Sequence, residues 1–373
     1  MTPDLDTACR GCIPTLSPGR EPHTLYTEGD VLYDTMLEAI AGARHRVWLE
    51  SYIFADDAVG RRFAEALAER AQAGCDVRLH IDAAGSLFWV SRRLERDLRN
   101  HGVKVRWFHR WHWRRPWRYN RRNHRKLLVV DNRAAFVGGY NIHLENSRRL
   151  YGEGRWRDTH VRLTGRYVRE AAALFKFFWR GRHRWSPPWR DQRTSVLMPN
   201  YTQQCSRVLR CAYAEAFRDA RHYIYLTSPY FVPDHRTQNG MITAAQRGVD
   251  VRLLVPAKSD VPITRWAARA AYQKLLDGGV RIFEYLPRVL QAKTALADGR
   301  WAMVGTANLD YRSLFLNYEL NLISRDELLC RQLHAQFMSD LAQAEEIVPK
   351  VWAQRPWLEH VAEAIGWFAR RWL

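Results

Sequence analysis

The chain of 373 residues contains one motif twice, at an offset of 167 residues. Both copies have the same spacing, and both are flanked by apolar runs. The two copies are His124-x-Lys126-x4-Asp131-x6-Gly138-Gly139-x-Asn141 and Gln291-x-Lys293-x4-Asp298-x6-Gly305-Thr306-x-Asn308. Self-similarity of this kind indicates two copies of one supersecondary plan. The chain is therefore expected to fold as two related halves.

The repeat extends beyond the motifs, since His45-Arg-Val-Trp-Leu-Glu-Ser-Tyr-Ile-Phe54 parallels His222-Tyr-Ile-Tyr-Leu-Thr-Ser-Pro-Tyr-Phe231. In each half, short β-branched runs alternate with stretches of helical periodicity, which predicts an α/β domain with a mixed sheet flanked by helices. We expect the domains to be related by a pseudo-twofold axis and to bring both motifs to one shared cleft. The predicted segments are a polar N-terminal tail (1–24), a first domain (25–190), a second domain (191–345) and a C-terminal amphipathic helix (346–373).

The residue types of the motif suit the chemistry of a phosphodiester. Lysine and asparagine side chains donate to non-bridging oxygens and stabilise transition-state charge. One imidazole can attack phosphorus, and a second can protonate the leaving alkoxide. No carboxylates cluster at metal-ligand spacing, and we expect no metal or other cofactor. The candidate catalytic residues are His124, Lys126, Asp131, Gln291, Lys293 and Asp298, with Asn141 and Asn308 as candidate phosphate ligands.

Position 291 is where the two copies differ in chemical type. Glutamine donates and accepts hydrogen bonds, but it does not take or give a proton near neutral pH. If this position is that of the general acid, its loss is expected to cost on the order of 10²–10⁴ in rate. Three explanations stay open: an inactivating substitution made deliberately, a natural variant that retains slow transfer, and a binding protein that has abandoned catalysis. Asp131 and Asp298 have a structural alternative as well, because aspartate often caps a turn, and we expect that role for them.

The formal charge of +19 predicts attraction to a polyanion, either nucleic acid or an anionic membrane. The halves differ most at an insertion of alternating Trp and Arg, residues 109–122. Its tryptophans suit a lipid interface and its arginines suit lipid phosphates, although the same interleaving suits single-stranded nucleic acid or a basic loop packed on a neighbouring domain. The helical period after Pro356 predicts either a docked helix or an in-plane membrane anchor. The candidate membrane-binding residues are Trp111, Trp113, Trp117, Phe368 and Trp372.

The motifs resemble those of the phospholipase D superfamily and, within it, the bacterial cardiolipin synthases. The resemblance covers roughly residues 25–345 and also rests on Glu50-Ser-Tyr-Ile-Phe-Ala-Asp-Asp57, Thr227-Ser-Pro-Tyr-Phe-Val-Pro233 and Tyr285-Leu-Pro-Arg288. It implies a ping-pong reaction in which a phosphatidyl group moves from phosphatidylglycerol to a nucleophilic histidine, here His124. A second phosphatidylglycerol or another alcohol then accepts the group. The resemblance also implies that a carboxylate late in each half orients the histidine of the other half, with Glu319 matching His124 and Asp158 matching position 291.

The sequence shows no basic start followed by an apolar stretch, and no run of ~18 apolar residues, so neither a signal peptide nor a transmembrane helix is predicted. This is similar to the peripheral type of cardiolipin synthase. We expect a peripheral location at the cytoplasmic face of the inner membrane, with phosphatidylglycerol and the membrane surface as partners and no obligate protein partner. The alternatives are a phospholipase D-type phosphodiesterase or nuclease, for which nucleic acid is the less favoured partner, and a non-catalytic binder of anionic phospholipid.

Overall fold

The computed structural model contains two mixed β-sheets flanked by helices, one sheet in each half of the chain. It describes residues 16–111, 113–114, 119–181, 193–200, 203–258 and 262–357, together with 359, 363, 364, 366 and 368. The predicted fold of two homologous α/β domains is confirmed. The predicted boundary at residues 190 and 191 lies outside the described residues, as do residues 1–15 of the predicted tail.

The first domain is built on a seven-stranded sheet with the order β1-β7-β6-β5-β2-β3-β4. Its strands are β1 (Thr24–Tyr26), β2 (Arg46–Ser51), β3 (Asp76–Asp82), β4 (Lys104–Phe108), β5 (Leu127–Val130), β6 (Ala134–Gly138) and β7 (His160–Leu163). Its helices are α1 (Gly29–Ala41), α2 (Ala58–Gln72), α3 (Arg92–Asn100), α4 (Arg148–Tyr151) and α5 (Arg166–Trp179). Strands β2, β3 and β4 are parallel, whereas the pairs β2–β5, β5–β6, β6–β7 and β7–β1 are antiparallel.

The second domain is built on an eight-stranded sheet and a two-stranded one. The strands are β8 (Ser195–Asn200), β9 (Tyr223–Thr227), β10 (Phe231–Val232), β11 (Asp250–Pro256), β12 (Arg281–Tyr285), β13 (Thr294–Ala297), β14 (Trp301–Gly305), β15 (Leu309–Asp310), β16 (Glu319–Ser324) and β17 (Ala344–Glu346). The helices are α6 (Gln203–Asp219), α7 (His235–Gln246), α8 (Pro262–Asp277), α9 (Tyr311–Phe315), α10 (Glu327–Leu341) and α11 (Pro349–Ala353). The order β12-β11-β9-β13-β14-β16 repeats β4-β3-β2-β5-β6-β7, and β10 pairs with β15.

The strand that follows each motif lysine lies in the middle of its sheet. Strand β5 has neighbours on both sides, β2 and β6, and all four of its residues are buried. Strand β13 lies between β9 and β14 in the same way. A strand covered on both faces has to be continuously apolar, which explains the runs after the motifs. Each motif therefore enters a rigid central strand.

The start of an equivalent helix is fixed in both halves by an aspartate. The carboxylate of Asp57 accepts hydrogen bonds from the backbone N–H groups of Val59 and Gly60 at the start of α2. Asp234 accepts one from the N–H of Thr237 at the start of α7. These bonds satisfy N–H groups that the first turn of a helix leaves without partners. The duplication thus includes the residues that cap these helices.

In the described part of the chain, three hydrophobic clusters form the core, and one of them joins the two domains. It combines Trp48 and Phe175 of the first domain with Leu254 and Tyr285 of the second, all of them buried. Helices α5 and α10 both contribute to it. The interface between the domains therefore contains a continuous apolar core.

Candidate active site

Each motif is held in place by the opposite domain through a matching pair of backbone contacts. The N–H of His124 donates to the carbonyl oxygen of Tyr318 at 3.0 Å, and the N–H of Gln291 donates to that of Arg157 at 2.7 Å. These two contacts are counterparts under the duplication. Positions 124 and 291 are therefore brought to one place by the interface itself.

The two motifs line one cleft of about 510 Å³, as predicted. The residues along it come from both domains. They are Tyr52, Ile53, Ala84, Tyr119, Asn120, Arg122, His124, Asn141, Trp156, Tyr230, Thr264, Gln291, Asn308, Asp310, Arg312 and Asn317.

The ring of His124 is held in one tautomer. Its Nδ1 lies 3.0 Å from Oε2 of Glu319 and 3.0 Å from the carbonyl oxygen of Thr306. A carbonyl oxygen only accepts, so Nδ1 carries the hydrogen and Nε2 keeps a lone pair. Burial lowers the pKa of His124 to about 4, and the ring is therefore neutral near pH 7. The ring of Tyr52 packs against it edge to face, with 5.0 Å between centroids.

Glu319 is completely buried and its carboxylate is held by two hydroxyl groups. The hydroxyl of Thr306 donates to Oε2 at 2.5 Å, and that of Ser313 donates to Oε1 at 2.8 Å. The carboxylate is thereby fixed toward His124, which is where the resemblance placed it. Neither Thr306 nor Ser313 was assigned a role from the sequence, although Thr306 occupies a motif position.

The two motif lysines are buried beside the residues that line the cleft. The ammonium group of Lys126 donates to the carbonyl oxygen of His124 at 2.8 Å. Burial, followed by repulsion from Lys293, lowers the pKa of Lys126 to about 7. Lys293 donates to the carbonyl oxygen of Gln291, and its Nζ lies 3.3 Å from Oε1 of Gln291 and 3.6 Å from Oδ2 of Asp158. Two ammonium groups in one buried place suit a bound phosphate.

The cleft has two corners, one around His124 and one around Gln291, and the second is built differently from the first. Oδ1 of Asp158 accepts a hydrogen bond from the N–H of Thr159 at 2.7 Å, and burial raises the pKa of the Asp158 carboxyl. Gly139 is the counterpart of Thr306, and a Cβ at Gly139 would collide with the Asp158 carboxylate. The hydroxyl that holds Glu319 in the first corner therefore has no equivalent here.

Both motif asparagines line the cleft. Oδ1 of Asn141 accepts a hydrogen bond from the N–H of Ile53 at 3.0 Å. Oδ1 of Asn308 is buried, and it has no hydrogen-bond partner among the residues that the structure describes. The side chain of Asn141 is thus oriented by its own domain.

Asp131 and Asp298 hold turns, and neither lines the cleft. The carboxylate of Asp131 accepts from three consecutive N–H groups at 2.8–2.9 Å, those of residues 44–46. Asp298 does the same for residues 221–223 at 2.7–2.9 Å. Both residues have a φ of +50°, a left-handed conformation that aspartate tolerates. The structural alternative fits this geometry, and their place among the candidate catalytic residues does not.

Exposed aromatic side chains lie on the insertion. Trp111 is 63% exposed and Trp113 is 73% exposed. Phe368 is 79% exposed, whereas Trp117 and Trp372 lie outside the described residues.

A second exposed apolar segment, which was not predicted from the sequence, lies in the loop after β3. There Leu87 is 55% exposed and Phe88 is 93% exposed. The run Gly85-Ser-Leu-Phe-Trp-Val90 has the composition of a buried segment, and only its position after a strand end distinguishes it from core.

No helix in the described part of the chain is long and apolar enough to cross a membrane. Within the same ranges, no group of three or more His, Cys, Asp or Glu side chains is arranged to hold a metal ion.

The family model for "Cardiolipin synthase, PLD-like domain" matches residues 36–167 and 213–341, one segment in each domain. The cardiolipin synthase of Geobacillus sp. (strain WCH70) is 34% identical over 369 residues, which cover 93% of this chain and 73% of that protein. Cardiolipin synthase 1 of Staphylococcus aureus (strain COL) is 32% identical over 346 residues, covering 89% and 69%.

Solved structures share the fold at low identity. Phosphatidylserine synthase from Haemophilus influenzae Rd KW20 has a TM-score of 0.71 at 12% identity and covers 99% of both chains. Polyphosphate kinase from Porphyromonas gingivalis has a TM-score of 0.59 at 16% identity, over 86% of this chain and 50% of that one. Together with the family match over both domains, these findings confirm the resemblance predicted from the motifs. The chain belongs to the cardiolipin synthase family of phospholipase D-like proteins.

Proposed function

We propose that the protein is a phosphatidyltransferase of the cardiolipin synthase type. It moves a phosphatidyl group from phosphatidylglycerol to a second phosphatidylglycerol or another alcohol. The observation that carries the proposal is the buried, neutral ring of His124, whose Nδ1–H is bound by Glu319 and Thr306 and whose Nε2 keeps its lone pair. The relatives named cardiolipin synthases support the class of substrate.

In the first half-reaction, Nε2 of His124 attacks the phosphorus of phosphatidylglycerol. The P–N bond forms as the bond from phosphorus to the glycerol oxygen breaks, and the glycerol oxygen takes a proton from water, since Gln291 has none to transfer. Glu319 stabilises the positive charge that develops on the imidazole. Lys126 and Lys293 stabilise the negative charge on the non-bridging oxygens.

In the second half-reaction, a hydroxyl oxygen of the acceptor attacks the same phosphorus. The P–N bond breaks, His124 becomes free, and the acceptor hydroxyl loses its proton. Both half-reactions thus need a group that carries a proton at the leaving or attacking oxygen. The amide of Gln291 donates a hydrogen bond there but does not transfer a proton, and we expect turnover to be slower by about 10²–10⁴.

Membrane contact is assigned to the two loops that follow β3 and β4. These strands are parallel neighbours, so both loops leave the sheet at one edge. Ala84 of one loop and Tyr119 of the other line the cleft, and the exposed side chains of Phe88, Trp111 and Trp113 belong to the same two loops. Exposed aromatic side chains beside arginines suit the headgroup region of an anionic bilayer. The protein would act there as a peripheral protein, at the cytoplasmic face of the inner membrane.

A second candidate function follows from Gln291 alone. A chain that keeps the lysines and the buried carboxylates but has no proton carrier at position 291 is also suited to binding anionic phospholipid without turning it over. The product assay below separates this from slow catalysis.

The test is a product assay with purified protein and phosphatidylglycerol vesicles, followed by lipid mass spectrometry. Three forms are compared: the chain with Gln291, the Gln291→His variant, and His124→Ala as the matched negative control. We expect cardiolipin at a low rate with Gln291, at a much higher rate with histidine, and none with His124→Ala. Vesicle binding without cardiolipin from either active form would overturn catalysis in favour of the binding function.

A further inference from the structure

The cleft contains two arginines that belong to neither motif. Arg122 comes from the first domain and Arg312 from the second, and both line the cleft. Burial lowers the pKa of Arg312, and repulsion from Arg122 acts in the same direction. Both guanidinium groups therefore lie along one cleft, which makes them candidate ligands for a single anion.

The insertion holds both guanidinium groups in position. The guanidinium carbon of Arg122 lies 4.1 Å from the ring centroid of Tyr119, and its Nη1 lies 3.4 Å from Oδ1 of Asp82. Arg312 donates from Nη1 to Oδ1 of Asn120 at 2.9 Å and from Nη2 to the carbonyl oxygen of Asn120 at 2.5 Å. Among the described residues, Nε of Arg122 is buried and has no hydrogen-bond partner.

A single aromatic ring, that of Tyr52, separates the two arginines from His124. Tyr52 packs on His124 at 5.0 Å between centroids, and the charges of Arg122 and Arg312 both act on the hydroxyl of Tyr52. In addition, Asp82, the ion-pair partner of Arg122, accepts a hydrogen bond from the N–H of Asn123 at 2.7 Å. The arginines and the histidine are thus parts of one rigid wall of the cleft.

The arginine pair breaks the symmetry of the duplication. At the offset of 167 residues that relates the motifs, the counterpart of Arg122 is Val289. The insertion that orients the pair is likewise confined to the first half. The asymmetry is therefore greatest beside the insertion, where Tyr119 and Asn120 contact the two arginines.

We propose that Arg122 and Arg312 form a second phosphate subsite, which holds the phosphodiester of the acceptor lipid while its glycerol hydroxyl attacks phosphorus on His124. The inference rests on the proposed transfer reaction. The donor lipid has one phosphate, and that phosphate is at His124. Glycerol, which leaves, has none. Of the reactants, only the acceptor phosphatidylglycerol brings a phosphate that has to be placed elsewhere in the cleft. Arginine forks are well suited to phosphate because they bind it through two parallel N–H donors.

The subsite gives the protein a means of choosing its acceptor. Phosphatidylglycerol can occupy it, whereas free glycerol and water compete for the phosphatidyl-histidine without any contact to it. Removing one guanidinium should therefore shift the products away from cardiolipin and toward exchange and hydrolysis.

The experiment measures two products in one vesicle reaction, cardiolipin and the phosphatidylglycerol formed from deuterated glycerol. Arg312→Gln is compared with the unchanged arginine, both in the Gln291→His background. We expect the ratio of cardiolipin to deuterium exchange to fall at least tenfold, with a raised KM for phosphatidylglycerol as acceptor. Arg93→Gln, on exposed α3 away from the cleft, is the control for lost surface charge. An unchanged ratio, or one that Arg93→Gln lowers as much, would overturn the subsite.

Two further measurements test the subsite in case Arg312→Gln misfolds or no variant is active. Arg312→Lys keeps the charge but loses the fork, and its ratio should lie between those of arginine and glutamine. If no variant forms cardiolipin or exchanges glycerol, the proposed transfer fails, and binding tests the subsite by itself. Calorimetric titration with 1,3-bisphosphoglycerol should give at least tenfold tighter binding than glycerol 1-phosphate, with that preference lost in Arg312→Gln. Equal binding of the two probes by the unchanged chain would overturn the subsite.

Discussion

The two corners of the cleft have the same backbone frame and different chemistry. In one, His124 is bound by Glu319, and a threonine hydroxyl holds that carboxylate. In the other, Gln291 stands beside Lys293, which also faces Asp158. The backbone contacts between the domains are the same in both. The backbone frame is thus common to both corners, whereas the side chains at positions 124 and 291 differ in their ability to carry a proton.

This difference separates binding from turnover. In the proposed reaction, Lys126 and Lys293 stabilise charge and His124 attacks phosphorus, and all three residues are present. The proposed reaction places the group that protonates the leaving oxygen at position 291, and Gln291 does not transfer a proton. A protein built in this way should capture its substrate normally and release product slowly.

The largest loss of transfer rate is expected when His124 is replaced. His124→Ala removes the nucleophile, and the rate of transfer should fall by about 10⁴-fold or more in the Gln291→His background. His124→Gln, which makes the two corners alike, should be equally inactive. Cardiolipin and glycerol exchange report the loss, and mass spectrometry of a trapped His124 peptide that carries a phosphatidyl group identifies the nucleophilic residue in the form that retains His124. Retention of more than about 1% of the rate would place the nucleophile elsewhere.

Gln291→His is the reverse change and should raise turnover by about 10²–10⁴. The new imidazole provides the proton carrier that the second corner lacks. Initial rates of cardiolipin formation by the two forms measure the gain, with equal thermal stability as the control. An equal rate would mean that another group in the cleft already carries the proton.

Replacing the buried carboxylates tests whether each one acts on the residue of its own corner, at position 124 or 291. Glu319→Gln should lower transfer by roughly 10²-fold, because Nδ1–H loses the charge that stabilises an imidazolium. Asp158→Asn should have a larger effect after Gln291→His than before it, since only then does an imidazole stand beside it. A double-mutant cycle over positions 158 and 291 measures this coupling. Additive effects would show that Asp158 does not orient the residue at 291.

In the chain with Gln291, the pH dependence of kcat/KM should follow the ionisation of Lys126. Its pKa is lowered to about 7, so the ammonium charge is present below that pH and lost above it. We expect kcat/KM to fall by about tenfold per pH unit on the alkaline side. The pKa of His124 is lowered to about 4, so the nucleophile stays unprotonated down to that pH. Lys126→Arg keeps its charge and should flatten the alkaline limb; a limb that persists would belong to another group.

Asp131 and Asp298 should show that the two halves are equivalent away from the cleft. Replacing either with alanine removes an acceptor of three N–H groups and should lower the free energy of unfolding by about 1–3 kcal/mol. Burial alone would raise the pKa of each, but the three N–H bonds bring it below the ordinary value, so the stabilisation is present above that value and lost as the pH falls further. Urea titrations of both variants check this. Loss of transfer in a variant that stays folded would restore a catalytic role.

The sequence was sufficient to predict the parts of the molecule that depend on periodicity and repetition. The duplicated motif predicted two α/β domains and a common cleft, because equal spacing in equal folds brings equivalent residues to equivalent places. Gln291 was visible as an exception for the same reason. Glu319 was implied only through resemblance, since nothing local in the sequence links it to His124.

The remaining features depend on contacts that have no local pattern. Arg312 meets Asn120 across 192 residues, and the pairing follows from how the insertion packs. Phe88 lies in an apolar run typical of a core, yet the loop turns it outward. A sequence pattern records the chemical type of a side chain, and only the packed backbone decides what the side chain faces.

The hydrophobic cluster shared by the two domains has a consequence for their independence. Neither half can expose its side of that cluster without the loss of core packing in both, so the two ancestral units should melt as one cooperative unit. Scanning calorimetry would then show a single transition whose van't Hoff and calorimetric enthalpies agree. Separately produced halves would not be two weak enzymes. Each would expose its side of the shared cluster and lack the opposite wall of the cleft, and activity would return only where the fragments fold together.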